Sequence, residues 1–331
     1  MVHSIPLLTN KSEWGFVCGR ISVLEGRLLT RDFLLSIATL HHRDDIFQHL
    51  QDTYLRDYIA PSSPWEDFSL LADRFFYDLA ISIRDESPSP IPANLFLAQG
   101  DYLNLKNALS GMDNYPFSPG EVSIEKIMAI AKGDFSDLPP VFKEIAIGNW
   151  NEIQESGRTF ADMIVDGAYL RHLISLAHEA ESPMIGSCTE HRVLTYMVLV
   201  LWRALRQNRQ LKDYRHYFLP IGEFNAIFYE LSGVNTIDAW PPIVGGEVGD
   251  ALAQALQTEN TDPVSRFELL SINLHTKLAQ DGLMQTAGPE RVYSFLSRLS
   301  GEIQNLKLVV CGKLNNIDPT LLVDCIREIY G

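Results

Sequence analysis

Cysteine is scarce in this chain: Cys18, Cys188, Cys311 and Cys325 are the four among 331 residues, and no two of them form a C-x-x-C pair. That sparseness argues against a disulfide framework or a structural zinc site and leads us to expect reduced thiols in a cytosolic compartment. Long apolar runs are missing too. No stretch reaches the roughly 18 residues that a membrane-crossing helix needs. The greasiest segment, Val193 to Leu205, contains Tyr196, Trp202 and Arg203 and reads as a buried core helix. The N-terminus has no basic patch ahead of an apolar run, so no secretion signal is expected. Positive charge is also in short supply. Lys and Arg number 27 against 42 Asp and Glu, a net charge of −15. Such a surface repels phosphate backbones and anionic headgroups and favours a basic protein partner, so neither nucleic acid nor direct membrane insertion is expected.

Catalytic signatures are equally thin. Gly312-Lys313-Leu314 lacks the glycine loop and the hydroxyl residue of a phosphate-binding P-loop. Gly186-Ser187-Cys188 is not a G-x-S-x-G elbow, and Cys188 has no evident basic neighbour to make a thiolate. No H-E-x-x-H occurs, and His172, His178 and His191 read as surface or hydrogen-bonded histidines rather than metal ligands. The glycines of Gly245-Gly246-Glu247-Val248-Gly249 suit a turn better than a dinucleotide site. We therefore expect no catalytic residue, no cofactor and no metal.

What the chain does have is helical periodicity. Hydrophobic residues make up 46% of the sequence, enough for a large core. Alternating strand patterns are nearly absent. Phe16, Val17, Ile21, Leu24, Leu28 and Leu29 recur at spacings of three and four, which predicts a helix from Trp14 to Leu29 with Arg20, Glu25 and Arg27 at its edges. Thr30 reads as the N-cap of the next helix. Further helices are predicted at about Asp44–Ile59, Pro64–Ile83, Asn94–Leu109, Ser123–Ala131, Pro139–Glu155, Thr159–Glu179, Glu190–Asp213, Gly222–Ser232, Gly246–Gln257, Pro263–Gln280, Pro289–Val310 and Pro319–Tyr330. Trp240-Pro241-Pro242-Ile243-Val244 is apolar and turn-rich; Trp240 reads as a core anchor, with an exposed contact loop as the alternative.

One motif occurs twice. Gly100-Asp101-Tyr102-Leu103-Asn104-Leu105-Lys106, followed by Gly111, returns 201 positions later as Gly301-Glu302-Ile303-Gln304-Asn305-Leu306-Lys307, followed by Gly312. Identical internal offsets point to duplicated helical units rather than to a catalytic signature. A unit of half that length places a middle copy near Val200, where no acid-x-x-Asn-Leu-Lys stands. Asp101 and Asn104 share a helix face, as do Glu302 and Asn305, whereas Lys106 and Lys307 lie five residues past the acid and are rotated from it by about 140°. Acid and Asn are placed to bind groups on another helix, and the lysine to reach solvent or a neighbouring unit. These six residues, with Arg20 and Glu25, are the structural and interaction candidates.

Several blocks in the same order resemble a known family, the C subunit of V/A-type rotary ATPases, called subunit d in the eukaryotic vacuolar enzyme. They are Gly15-Phe16 through Arg20 with Leu24-Glu25 and Leu28-Leu29, Leu50-Gln51-Asp52-Thr53-Tyr54, the Asp101 to Lys106 motif, and Val165-Asp166-Gly167-Ala168-Tyr169-Leu170. The densest block runs from Gly288-Pro289-Glu290 through the Glu302 to Lys307 motif and Gly312-Lys313 to the terminal segment Pro319 to Tyr330. The missing middle acid–Asn pair and the uncharged Leu299-Ser300-Gly301 depart from the pattern.

The resemblance implies an all-α, funnel-shaped body of three pseudo-threefold-related helical bundle units, here 1–112, 113–213 and 214–331. It would sit on the cytoplasmic face of the membrane proteolipid ring and receive the central shaft, made of subunits D and F. Such a subunit couples rotation to the ring and makes or breaks no covalent bond. The alternative is an acidic helical adaptor of the same ancestry acting outside a motor.

Overall fold

The computed structural model describes residues 11–40, 42–59, 63–111, 117–147, 160–258 and 261–329. Among them there is no strand, and the fold is all-α. In chain order the helices are α1 (Gly15–Glu25), α2 (Arg31–Thr39), α3 (Arg43–Leu50), α4 (Phe68–Asp85), α5 (Ile91–Ser110), α6 (Ile124–Ala131), α7 (Ala161–Glu179), α8 (Pro183–Arg206) and α9 (Asp213–Phe218). They continue as α10 (Asn225–Leu231), α11 (Pro241–Val244), α12 (Gly246–Leu256), α13 (Pro263–Leu283), α14 (Pro289–Leu314) and α15 (Pro319–Cys325). Short 3₁₀ turns fill several junctions, among them Pro140–Ile147.

Side-chain caps set several of the starts. The Thr30 hydroxyl accepts the Phe33 N–H at the head of α2, Ser123 accepts Lys126 N–H at α6, and Ser182 accepts Ile185 N–H at α8. Each satisfies one of the donors that a helix N-terminus leaves unpaired. Proline helps in the same place. Pro183, Pro289 and Pro319 each occupy the first helical position, where no N–H is needed. That is why α8 begins at Pro183 and not near Glu190: the proline opens the helix instead of interrupting it.

Three predicted helices prove shorter, each because another group captures the backbone. The first ends at Glu25, and the Leu29 N–H that a longer helix would use internally donates to the Glu302 carboxylate at 2.9 Å. The third ends at Leu50, where the Thr53 hydroxyl both donates to Leu50 C=O and accepts Leu55 N–H, a local competition typical of threonine. The last ends at Cys325, two residues before Arg327, whose N–H and C=O are both bonded to Asn305. Of the predicted Pro139–Glu155 helix the described part is the 3₁₀ turn to Ile147; residues 148–155, like Tyr330, lie outside the described residues. The exposed-loop alternative for Trp240 is overturned. Trp240 is fully buried, its indole N–H donates to Val234 C=O at 3.0 Å, and the following residues form α11.

Two compact units result. One comprises the chain up to Phe96 together with the chain from Thr276, the other Leu97 to His275. In the first, α14 is the axis and packs against α1, α2, α3, α4 and α15. Its buried Val292, Phe295, Leu296, Leu299, Ile303, Leu306, Val309 and Val310 recur at the helical period, each large side chain contributing about 1.5–3 kcal/mol on burial. In the second, α7 is buried on nearly every side and packs against α8, α9 and the 3₁₀ turn before it. A polar residue on such a helix must find its partner inside the protein.

Candidate functional site: a duplicated polar clasp

The first motif copy lies in α5. Asp101 and Asn104 face the segment Ser118–Val122, which crosses directly over them. Asp101 accepts the Val122 N–H at 3.0 Å. Asn104 holds one residue from both sides: its amide nitrogen donates to Ser118 C=O at 2.8 Å, and its amide oxygen accepts Ser118 N–H at 2.7 Å. The approach is so close that a Cβ on Gly100 would stand 2.2 Å from Pro119 C=O, and one on Gly120 would stand 2.4 Å from the Asp101 carboxylate. Lys106, on another face, donates to Asp166 of α7 at 2.8 Å. The Tyr196 hydroxyl donates to the same carboxylate at 2.6 Å.

The second copy, in α14, repeats these tasks with different partners. Glu302 accepts the Leu29 N–H at 2.9 Å and the Tyr54 hydroxyl at 3.0 Å, with the Arg298 guanidinium 3.5 Å from its other oxygen. Asn305 again grips a single residue: it donates to Arg327 C=O at 3.1 Å and accepts Arg327 N–H at 2.9 Å. Lys307 donates to both oxygens of Asp73 in α4, at 2.8 and 2.7 Å. In both copies, then, the acid holds a loop N–H, the asparagine brackets one loop residue and the lysine ties its helix to an aspartate on another. The acid and the asparagine bind loop backbone, where the sequence led us to expect groups on a second helix.

Burial sharpens the electrostatics. Asp101 is 1% exposed and Glu302 0%. Desolvation pushes the Asp101 carboxyl up to about 6, with the backbone donors of its loop only partly offsetting it. It pushes Glu302 up to about 7 against the lowering effects of Leu29 N–H, Arg298 and Tyr54. Asp166 is raised by burial as well, with Lys106 and Tyr196 opposing the rise. The groups that meet the two acids are the Val122 and Leu29 N–H groups, the Tyr54 hydroxyl and the Arg298 guanidinium. What this constellation does is fix loops onto helices.

A paired, buried scaffold of this kind is matched along almost its whole length by one family profile, described as ATP synthase (C/AC39) subunit, over residues 17–323. The chain belongs to the ATP synthase (C/AC39) subunit family. That is the C/d subunit of V/A-type rotary ATPases, a structural component of the complex. No curated protein matches the chain individually.

In this C/AC39 subunit the remaining candidates also find partners within the chain. Arg20 of α1 donates to Ser82 at 2.8 Å and pairs with Glu86 at 2.5 Å. Glu25, with its carboxyl raised by burial, pairs with Arg291 of α14. All eight candidates are thus engaged internally. Sequence reasoning did not single out Asp73, Asp166, Ser118 or Arg327 as their counterparts; only Asp166, a lone acid in the apolar run Met163 to Leu170, carried a usable signal. His191, weighed as a metal ligand, instead bonds Ser271 C=O at 2.7 Å, and among the described residues no group of three or more metal-binding side chains stands together. A surface cleft of about 330 Å³ is lined by residues including His178, Thr189, Glu190 and Glu223. Its His178–Glu223 contact of 3.5 Å is mostly exposed to solvent, and the lining offers no nucleophile held by a base. Among the described residues no helix is long and apolar enough to cross a membrane.

Proposed function

We propose that this chain is the non-catalytic coupling subunit of the central stalk in a V/A-type rotary ATPase, receiving the D/F shaft on one side and seating on the proteolipid ring on the other, at the cytoplasmic face. The observation that carries the reading is the family match over residues 17–323. The three segments 1–112, 113–213 and 214–331 are, on this reading, repeats of one helical module. A torque relay needs stiffness, and close-packed helices with loops bonded down onto them supply it, because packed interiors deform little. The clasp residues serve here as the internal ties of the relay, which leaves partner contacts to other side chains.

The test is reconstitution of the motor with and without this chain. We expect the tagged subunit to copurify with the shaft subunits and the ring, and its omission to leave ATP hydrolysis running without ion transport. Recovery of the chain alone, under conditions that keep a fully coupled motor intact, would instead assign it to an adaptor role outside the machine.

A further inference from the structure

Three long helices, α4, α7 and α13, carry an acid as their sixth residue: Asp73, Asp166 and Glu268. Each receives a cation. Lys307 Nζ stands 2.7 Å from Asp73, Lys106 Nζ 2.8 Å from Asp166, and an Arg203 guanidinium nitrogen 2.9 Å from Glu268. The cations lie on α14, α5 and α8, which are the helices that follow the acid-bearing ones in the chain: α5 follows α4, α8 follows α7, and α14 follows α13. No cation of the three bonds the acid of the helix just before its own. Lys106 reaches forward 60 residues to α7, Arg203 reaches forward 65 residues to α13, and Lys307 reaches back 234 residues to α4. Counted as consecutive pairs along the chain (α4 with α5, α7 with α8, α13 with α14), the ties run first to second, second to third, third to first. Adventitious surface pairing has no reason to choose the same helix position and the same direction of connection three times.

We infer that Arg203 and Glu268 form the middle member of a set of three equivalent clasps, each joining the second helix of one consecutive pair to the first helix of another. This goes beyond the coupling role and does not depend on it. The worn middle copy of the motif then becomes readable as Val198-x-x-Leu201-Trp202-Arg203, in the place of acid-x-x-Asn-Leu-Lys. Val198 and Leu201, both fully buried, stand where the acid and the asparagine would be. Replacing a polar group and losing its partner together leaves no unsatisfied atom, so the apolar version is tolerated. What survives is the cation. Arg and Lys both supply a charge at the end of a long stem, and Arg206 with Asp262, the residue just before α13, adds a second pair at the same junction. The middle clasp differs from the others in the exposure of its cation: the Arg203 side chain is 62% exposed, against 28% for Lys106 and 28% for Lys307.

Hydrogen exchange of the full-length chain, read by mass spectrometry over the first three turns of α13, tests this. The Arg206–Asp262 pair is left intact throughout. Arg203→Ala and Glu268→Ala should each speed exchange there by about 2–5-fold, as expected for an exposed pair. The double Ala variant should be no faster than the faster single one, Arg203→Lys should exchange like the parent, and the swap Arg203→Glu with Glu268→Arg should recover most of the protection. Exchange unaffected by Arg203→Ala, single effects that multiply in the double variant, or a swap as fast as either single would each overturn the clasp. Because the isolated chain is used, these outcomes are separate from whether it assembles into a motor.

Discussion

Asn305 has no exposed surface, and both halves of its amide are spent on the backbone of Arg327. Replacing it with leucine keeps the volume and strands an N–H and a C=O, each costing about 1–3 kcal/mol when left unpaired. We expect Asn305→Leu to lower stability by about 2–4 kcal/mol, seen as a drop in the urea midpoint; a change within error of the parent would mean water replaces the amide freely. Glu302 behaves differently because its charge is at stake. Its folded carboxyl sits near 7 against the ordinary 4.5. The fold therefore holds that proton more tightly than the unfolded chain does, and between pH 4.5 and about 7 this group makes stability fall as pH rises. Above that window the deficit is constant. Glu302→Gln, which keeps an acceptor for Leu29, should match the parent near pH 5 and exceed it at pH 8, by up to about 3 kcal/mol. A pH-independent difference between the two urea midpoints would remove the case for a raised carboxyl.

Helix ends are where sequence reading and structure part company. Caps are local, so Thr30 and Ser123 are legible as they stand: a hydroxyl three residues before the N–H it accepts needs no tertiary help. Stops are often distant. Nothing near Leu29 or Arg327 in the sequence says that Glu302 or Asn305 will take their backbone, because those partners are 273 and 22 positions away. The Ser182 cap gives a direct check on the longest misjudged start. Ser182→Ala should cost about 1 kcal/mol and speed amide exchange in the first turn of α8 while sparing the turn at Arg203. Uniform acceleration along α8 would show that the cap is not what sets that end. The motif was legible for a related reason. Two copies with the same offsets place their acid and asparagine on one helix face by geometry alone, whereas the middle copy kept only its cation and so left no pattern to match.

Across the whole chain the net charge of −15 is a long-range property that no single residue carries. A basic shaft end would be steered toward such a body, and the benefit appears chiefly in the association rate. On the proposed coupling role, binding of isolated D/F shaft to the purified chain should therefore slow steeply between 50 mM and 500 mM salt, as the Debye length shrinks from roughly 14 to 4 Å. Rates indifferent to salt would remove electrostatics from the docking step and leave shape and apolar contact to account for it.

Helical class, the family blocks and the duplicated face of acid and asparagine could all be taken from the residues in order, since each depends on spacings of three or four, or on short strings that survive descent. The receivers of those side chains could not. Asp73 and Asp166 become partners only when helices far apart in the chain pack side by side, Ser118, Arg327 and Leu29 only when their loops fold onto a helix, and the third cation, Arg203, shows its kinship to Lys106 and Lys307 only through the acid it meets. Periodicity is a one-dimensional signal; a hydrogen-bond partner is a point in space.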